Sequence, residues 1–361
     1  MRDEAPSDLT PEDLARRHAL AAQIEAYVQP YLARNPRAKT AVDALFPSQS
    51  SDPDEDGVVR RTPPSRVWDH LAFRSFDCVD GGTRAVARVF EKHGYTYRGS
   101  LTFREKKVDA AWFAPPDAPW ARDAFGDPLF PRLFVSHLRV ADLADEQAKA
   151  VIVERVSVKR KDDDVVNDTN DDAVVVAERG GVPWREKKLS LDEYETVSRA
   201  SEYAAWTLIN GHALNHVAVP VHRLFVDEAG SPRRRFASLE TCLAFLKAPP
   251  LSLPLSNAGG GEVKVSPDGG LRQASTVADD VEFAFCSSHG ANGDEAEAKT
   301  KSLVPASYVE FVDRLPIENS GGQNGHHVPE RLLRDGFETA NADAIFESTF
   351  RAQRAAGLGA S

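Results

Sequence analysis

The sequence is poor in cysteine: Cys78, Cys242 and Cys286 are the only three in 361 residues, and no two form a CxxC pair. That spacing argues against a disulfide framework or a thiolate zinc site, and it fits a reducing compartment. No apolar run reaches the length of a transmembrane helix, and the acidic, early-helical start does not read as a signal or transit peptide. The expected setting is soluble and intracellular, cytoplasmic or plastid. Positive charge is also in deficit, with 44 Lys and Arg against 55 Asp and Glu and a net charge of -11. Binding to nucleic acid or to a membrane surface is therefore not expected, while local basic pockets for small anions stay open. Phosphate-binding loops are missing as well. Gly259-Gly260-Gly261 lacks the lysine and serine of a P-loop and the dinucleotide spacing, and no G-x-S-x-G elbow supports a serine hydrolase.

What is present is organised around Val67-Trp68-Asp69-His70-Leu71-Ala72-Phe73-Arg74. On a strand, His70 and Arg74 share a face because their separation is even. One can then hold a metal and the other an anionic substrate, with a buried structural histidine and a structural ion pair as the competing readings.

The chain divides into an N-terminal helical segment and linker (1–66), a first βαβββ module (67–140), a mainly helical insertion (141–212), a second βαβββ module (213–316) and a C-terminal segment covering the site (317–361). Pro11 to Ala33 carries an apolar helical stripe behind Thr10 as N-cap. Asp52 to Gly57 starts like a calcium loop, but Pro63 stands where the bidentate glutamate belongs, so it reads as a linker. The first module is a strand at Trp68, a helix from Thr83 to His93, and strands at Tyr97–Phe103, Asp109–Phe113 and Leu133–Val140. In the insertion, Ala141–Val156 and Leu191–Leu208 have helical period, and Lys161–Asp172 is an acidic loop. The second module is a strand at Ala213–Val219, a helix over Ser238–Leu246, and strands at Glu262–Val265, Leu271–Thr276, Val281–Cys286 and Ser307–Val312. Two such modules predict an α+β fold in which a curved sheet, a half-barrel, closes around a pocket.

Most of the ten histidines have bland settings. His18 and His93 belong to helices, His289 to a turn, and His326-His327 follow the glycine-rich Ser320–Gly325, while His137 and His222 are weak pocket candidates. His212 and His216 have zinc-protease spacing, but Ala213 stands where that motif needs glutamate. His70 and His216 stand apart because Trp-Asp-His-Leu-Ala-Phe and Leu-Asn-His-Val-Ala-Val place them alike in the two modules. Glu310, in Tyr308-Val309-Glu310-Phe311-Val312, is the candidate third ligand, with a salt bridge to Arg314 as its alternative role. Two histidines and a carboxylate suit non-haem Fe(II) with open positions, and zinc accepts the same set. Gln273 and Ser275 share a strand face and can hydrogen-bond a polar substrate or simply be polar strand positions.

These stretches, with Gln273-Ala274-Ser275-Thr276-Val277-Ala278-Asp279 and the tail Arg334-Asp335-Gly336-Phe337 to Thr349, resemble the DUF1338 family over about Trp68 to Thr349. Its characterised members are 2-oxoadipate dioxygenase/decarboxylases, and its fold belongs to the vicinal-oxygen-chelate group. The resemblance implies Fe(II) on His70, His216 and Glu310, with Arg74 as the anchor of a substrate carboxylate. It also implies a 2-oxo dicarboxylate and dioxygen as reactants: 2-oxoadipate loses carbon dioxide and is hydroxylated to 2-hydroxyglutarate, as in lysine catabolism. A glyoxalase-type divalent-metal lyase or isomerase on the same fold is the alternative chemistry. A non-catalytic binding or scaffold protein is the alternative class.

Overall fold

The computed structural model describes residues 9–46, 66–79, 82–156, 171–184, 188–228, 231–286, 300–316 and 327–346. The Asp52–Gly57 loop, residues 161–170 of the acidic run, His289, Ser320–Gly325, His326 and the tail beyond Phe346 lie outside them. Asp171 and Asp172, the end of the acidic run, open a helix rather than continuing a loop.

In chain order the elements are α1 (Pro11–Arg34), α2 (Pro36–Leu45), β1 (His70–Phe76), α3 (Gly82–Glu91), β2 (Thr96–Phe103), β3 (Val108–Ala114), β4 (Arg132–Leu138), α4 (Glu146–Val156), α5 (Asp171–Glu178), α6 (Leu191–Ala200) and α7 (Glu202–Asn210). They continue with β5 (Leu214–Pro220), β6 (Phe225–Glu228), β7 (Ser231–Arg234), α8 (Leu239–Lys247), β8 (Lys264–Val265), β9 (Leu271–Ser275), β10 (Asp280–Phe285), β11 (Thr300–Pro305), β12 (Glu310–Arg314) and α9 (Thr339–Phe346).

Eight strands form one curled sheet in the order β2-β3-β4-β1-β5-β12-β9-β8. The order reads the same from both ends once the halves are exchanged. In each half the first strand pairs parallel with the last, β1 with β4 and β5 with β12, and the halves meet along the antiparallel β1–β5 seam. The second module is therefore β5-α8-β8-β9-β12. The strand expected at Val281–Cys286 exists as β10, but it pairs with β11 in a separate two-stranded sheet.

Alternation divides the sheet into two faces. Leu71, Phe73, Leu133, Val135, Val217, Val219 and Phe311 point into a core covered by α1, α2, α3 and α8. Helix α1 begins on the expected Thr10 cap, whose hydroxyl accepts from Asp13 N–H at 3.1 Å. It buries Leu20, Ile24, Val28 and Leu32, and each such side chain contributes roughly 1.5–3 kcal/mol relative to exposure. On the concave face Ala72, Phe76, Phe134 and Leu138 meet α4, α6, α7 and Phe346 of α9.

Two helical expectations need correction. Leu191–Leu208 is not one helix, because Ser201 both ends α6 and starts α7, its Oγ accepting from Ala204 N–H at 3.2 Å. A serine side chain that competes for backbone donors breaks a pattern whose apolar period looks continuous. Ala141–Val156 is helical only from Glu146, behind Asp145, whose carboxylate accepts from Ala148 N–H at 2.9 Å.

Candidate metal centre

β1 and β5 run antiparallel side by side, and each projects its histidine onto the concave face. β12, next to β5, begins with Glu310 on the same face, directly opposite Ser275 of β9. His70 Nε2 lies 3.3 Å from His216 Nε2, and Glu310 Oε2 lies 3.4 Å and 3.2 Å from these two atoms. All three residues are buried. Ligand atoms held about 2.0–2.2 Å from one first-row cation stand about 3 Å apart, so the spacing suits a shared ion.

The partners of the other atoms point to the same occupancy. His70 Nδ1 donates to Asp69 Oδ1 at 2.8 Å, and His216 Nδ1 donates to Asn215 Oδ1 at 2.9 Å. Each imidazole thus turns its Nε2 lone pair toward the carboxylate, and a cation is the natural centre for three convergent donors. Burial disfavours the imidazolium of His70, but Glu310 and Asp69 outweigh it and push its pKa up to about 9. Burial drives His216 down to about 4 despite Glu310. For Glu310 burial acts upward, and His70 and His216 overcome it to hold the carboxyl at about 2.

Behind the ligands lies a buried ionic layer. Arg314 grips Asp69 through Nε at 2.6 Å and Nη2 at 2.9 Å, which leaves it no part in the Glu310 salt bridge considered from sequence. Glu310 instead accepts at Oε1 from Gln273 Nε2 at 2.6 Å. Asp69, His222 and Glu330 form a second cluster of possible ligands. Arg132 and Arg314 already neutralise it, and His222 Nε2 pairs with Glu330 at 3.2 Å.

The cavity is lined by His70, His216 and Glu310 with Phe134, Gln273, Tyr308, Phe337, Ala342, Ile345 and Phe346. His222 does not line it, and neither does His137, which alternates with Phe134 and Ser136 and faces the other side of the sheet. His212 lies in the turn after α7 rather than on a helix with His216, and its nearest polar partner is Ser75 Oγ at 3.4 Å.

Arg74 is fully buried on the concave face, with its guanidinium carbon 4.8 Å from the Tyr203 ring, 5.1 Å from Trp206 and 5.7 Å from Phe346. The Tyr308 hydroxyl is the polar group against it, and none of its three nitrogens pairs with a carboxylate among the described residues. The Tyr308 hydroxyl is buried, and burial pushes its pKa up, so it stays protonated. Aromatic faces stabilise the cation but accept none of its five N–H donors.

Ser275 is buried beside Glu310, and Gln273 reaches the cavity. The orienting pair Asp69 and Asn215 went unread in the sequence, although an Asx-His dipeptide in both modules is its signal. The aromatic cage and Phe337 come from remote segments and leave no local signature.

A curled two-module sheet brings two histidines and one carboxylate together on its concave face, a donor set that suits a divalent metal ion in an enzyme pocket. A family profile described as 2-oxoadipate dioxygenase/decarboxylase matches residues 23–323. The chain belongs to the 2-oxoadipate dioxygenase/decarboxylase family. It is 38% identical over 326 residues to the chloroplastic 2-oxoadipate dioxygenase/decarboxylase of Arabidopsis thaliana, covering 90% of this chain and 75% of that protein. The crystal structure of the Oryza sativa hydroxyglutarate synthase in complex with 2-oxoadipate is similar with a TM-score of 0.72 and 31% identity, over 98% of this chain and 99% of that one. A glyoxalase-superfamily protein from Ralstonia eutropha JMP134 shares the fold, with a TM-score of 0.57 and 20% identity over 90% of this chain and 91% of that one.

Proposed function

We propose that this chain carries out its family's reaction at the His70, His216 and Glu310 centre with Fe(II), taking 2-oxoadipate and dioxygen to 2-hydroxyglutarate and carbon dioxide. The atoms balance with one dioxygen per substrate: one carbon leaves as carbon dioxide, and one oxygen enters the new carboxylate while the other becomes the hydroxyl. When bound, Fe(II) supplies open positions for an oxo acid and for dioxygen.

The observation that carries the substrate reading is the buried Arg74 guanidinium, which no carboxylate among the described residues neutralises, four residues from His70 on the same strand face. A buried arginine without a counter-ion is costly, and a ligand carboxylate matches its planar fork. The 2-oxo acid end of the substrate would then lie at the three ligands and the distal carboxylate at Arg74, with the Tyr308 hydroxyl as a further donor. Gln273 keeps a second N–H for a substrate oxygen, and Ser275 adds a hydroxyl beside Glu310 on the same strand face. Phe134, Phe337, Ile345 and Phe346 make an apolar roof and wall that keep water from the reacting carbon. The unpaired cysteines suit a reducing compartment, and the plastid named for the Arabidopsis relative is the setting we propose.

Anaerobic reconstitution with Fe(II), followed by 2-oxoadipate with oxygen uptake and carbon dioxide release measured together, tests the reading. Matched uptake and release support it. Metal-dependent turnover that continues without oxygen contradicts it.

A further inference from the structure

The C-terminal segment reaches the groups that orient two of the three ligands. Asn341, buried on α9 between the cavity-lining turns, points its Nδ2 at Gln273 Oε1 at 2.9 Å and at the carbonyls of Leu271 (3.4 Å) and Lys264 (3.5 Å). Gln273 in turn donates to Glu310 Oε1. The direction of this relay is fixed at both ends, because a carboxylate and backbone carbonyls can only accept. With Oε1 taken by Gln273, Oε2 is the oxygen left to face His70 and His216. On the other side, Arg314, which grips the Asp69 that orients His70, also donates to the carbonyls of Arg334 and Gly336, each at 2.9 Å.

We propose that Asn341 is a positioning residue for the metal centre, acting through Gln273 to fix Glu310, so that docking of α9 and metal binding favour one another. Coupling of this kind is reciprocal: if the docked helix improves metal affinity, the metal stabilises the docked helix by the same factor. A bound metal then holds α9 more firmly, which keeps the apolar roof in place when oxygen chemistry is possible. This inference rests on the triad being a metal site.

The test uses the full-length metal-free protein titrated with Co(II) and followed by visible absorption, with hydrogen exchange over 339–346 measured with and without the ion. Asn341→Leu is expected to weaken Co(II) binding about tenfold, the lower end for loss of a ligand-orienting partner. The double variant with Gln273→Leu should bind no more weakly than Gln273→Leu alone, since both act along one path. Co(II) should slow exchange over 339–346 in the unmodified protein and not in Asn341→Leu. Asn341→Ala, which removes the amide without adding bulk, should repeat the affinity loss while lowering the metal-free melting temperature only by the few degrees that its lost hydrogen bonds account for. Unchanged Co(II) affinity in the Asn341 variants, or additive effects in the double variant, overturns the proposal. So does a marked drop in metal-free melting temperature for both, which makes Asn341 a structural plug. His70→Ala is the control: if Co(II) binding does not depend on His70, the metal-site reading itself falls and the inference with it.

Discussion

The two halves of the curled sheet share a topology but not a chemistry. Register makes the comparison residue by residue: Ala72 faces Phe134 across β1–β4, and Ala218 faces Glu310 across β5–β12. Phe134 therefore occupies in the first half the place that Glu310 holds in the second. One strand further out, Trp112 faces Phe134 where Ser275 faces Glu310, and Ala110 corresponds to Gln273. Along the central pair, Arg74 of β1 answers to Pro220 of β5. The first half builds an aromatic wall and a buried cation, and the second builds a polar, metal-facing corner. Symmetry places the histidines together, and its breaking leaves three ligands rather than four, with an open side toward Phe134.

The comparison is broken most sharply by removing the unique carboxylate. Glu310→Ala should lower turnover by roughly a thousandfold or more with metal affinity falling in parallel, whereas Phe134→Ala should keep metal binding close to the unmodified protein. Equal losses of metal from both would mean that the halves contribute alike. Restoring the symmetry is the complementary change. Phe134→Glu should retain Fe(II) or Co(II), checked by titration, yet cut oxygen-dependent turnover roughly a hundredfold because the open side is filled.

Arg74 sharpens the second asymmetry. Arg74→Met should reduce kcat/KM for 2-oxoadipate roughly thirtyfold, within the range for a charged hydrogen bond, and leave Co(II) affinity unchanged. Arg74→Lys should not restore the loss, since a point charge does not reproduce the guanidinium fork. A loss equal for 2-oxoadipate and for 2-oxohexanoate, which has no distal carboxylate, would remove Arg74 from substrate recognition.

The smallest expected effect on catalysis lies in the ionic layer behind the first half. For Glu330 burial acts upward, but His222, with Arg132 and Arg223, outweighs it and holds the carboxyl well below the usual range. A folded-state pKa below the unfolded value of about 4.3 stabilises the fold above that pH, and the contribution is lost as pH falls through the folded value. Glu330→Gln should therefore destabilise the protein at pH 7 by about 3 kcal/mol, with the denaturation curves converging as the pH drops below 4. A destabilisation that does not change with pH would point to packing instead of charge.

The grouping of His70, His216 and Glu310 was legible because its signals are local: a histidine embedded in an apolar strand, repeated, and a glutamate embedded in another. The first βαβββ pattern was legible for the same reason, since strand and helix periods act over a few residues, whereas in the second the period alone did not tell β10 from the strands of the main sheet. What was not legible depends on contacts across the chain. Arg314 was a possible partner for Glu310 on proximity in sequence, yet the β12 register turns it to Asp69. The aromatic box around Arg74 draws on α7 and α9, more than a hundred residues away. Helix α2 was missed because its ten residues start at Pro36, directly after Asn35, without a long apolar stripe. β6 and β7 were missed because they are four residues each and Pro232 interrupts the strand pattern.

The most direct test of the central claim is turnover of 2-oxoadipate by the Fe(II)-loaded protein under isotopically labelled dioxygen. The account predicts one carbon dioxide per hydroxyglutarate and both labelled oxygen atoms in the hydroxyglutarate. Hydroxyglutarate carrying no label, or formed without oxygen, would contradict it.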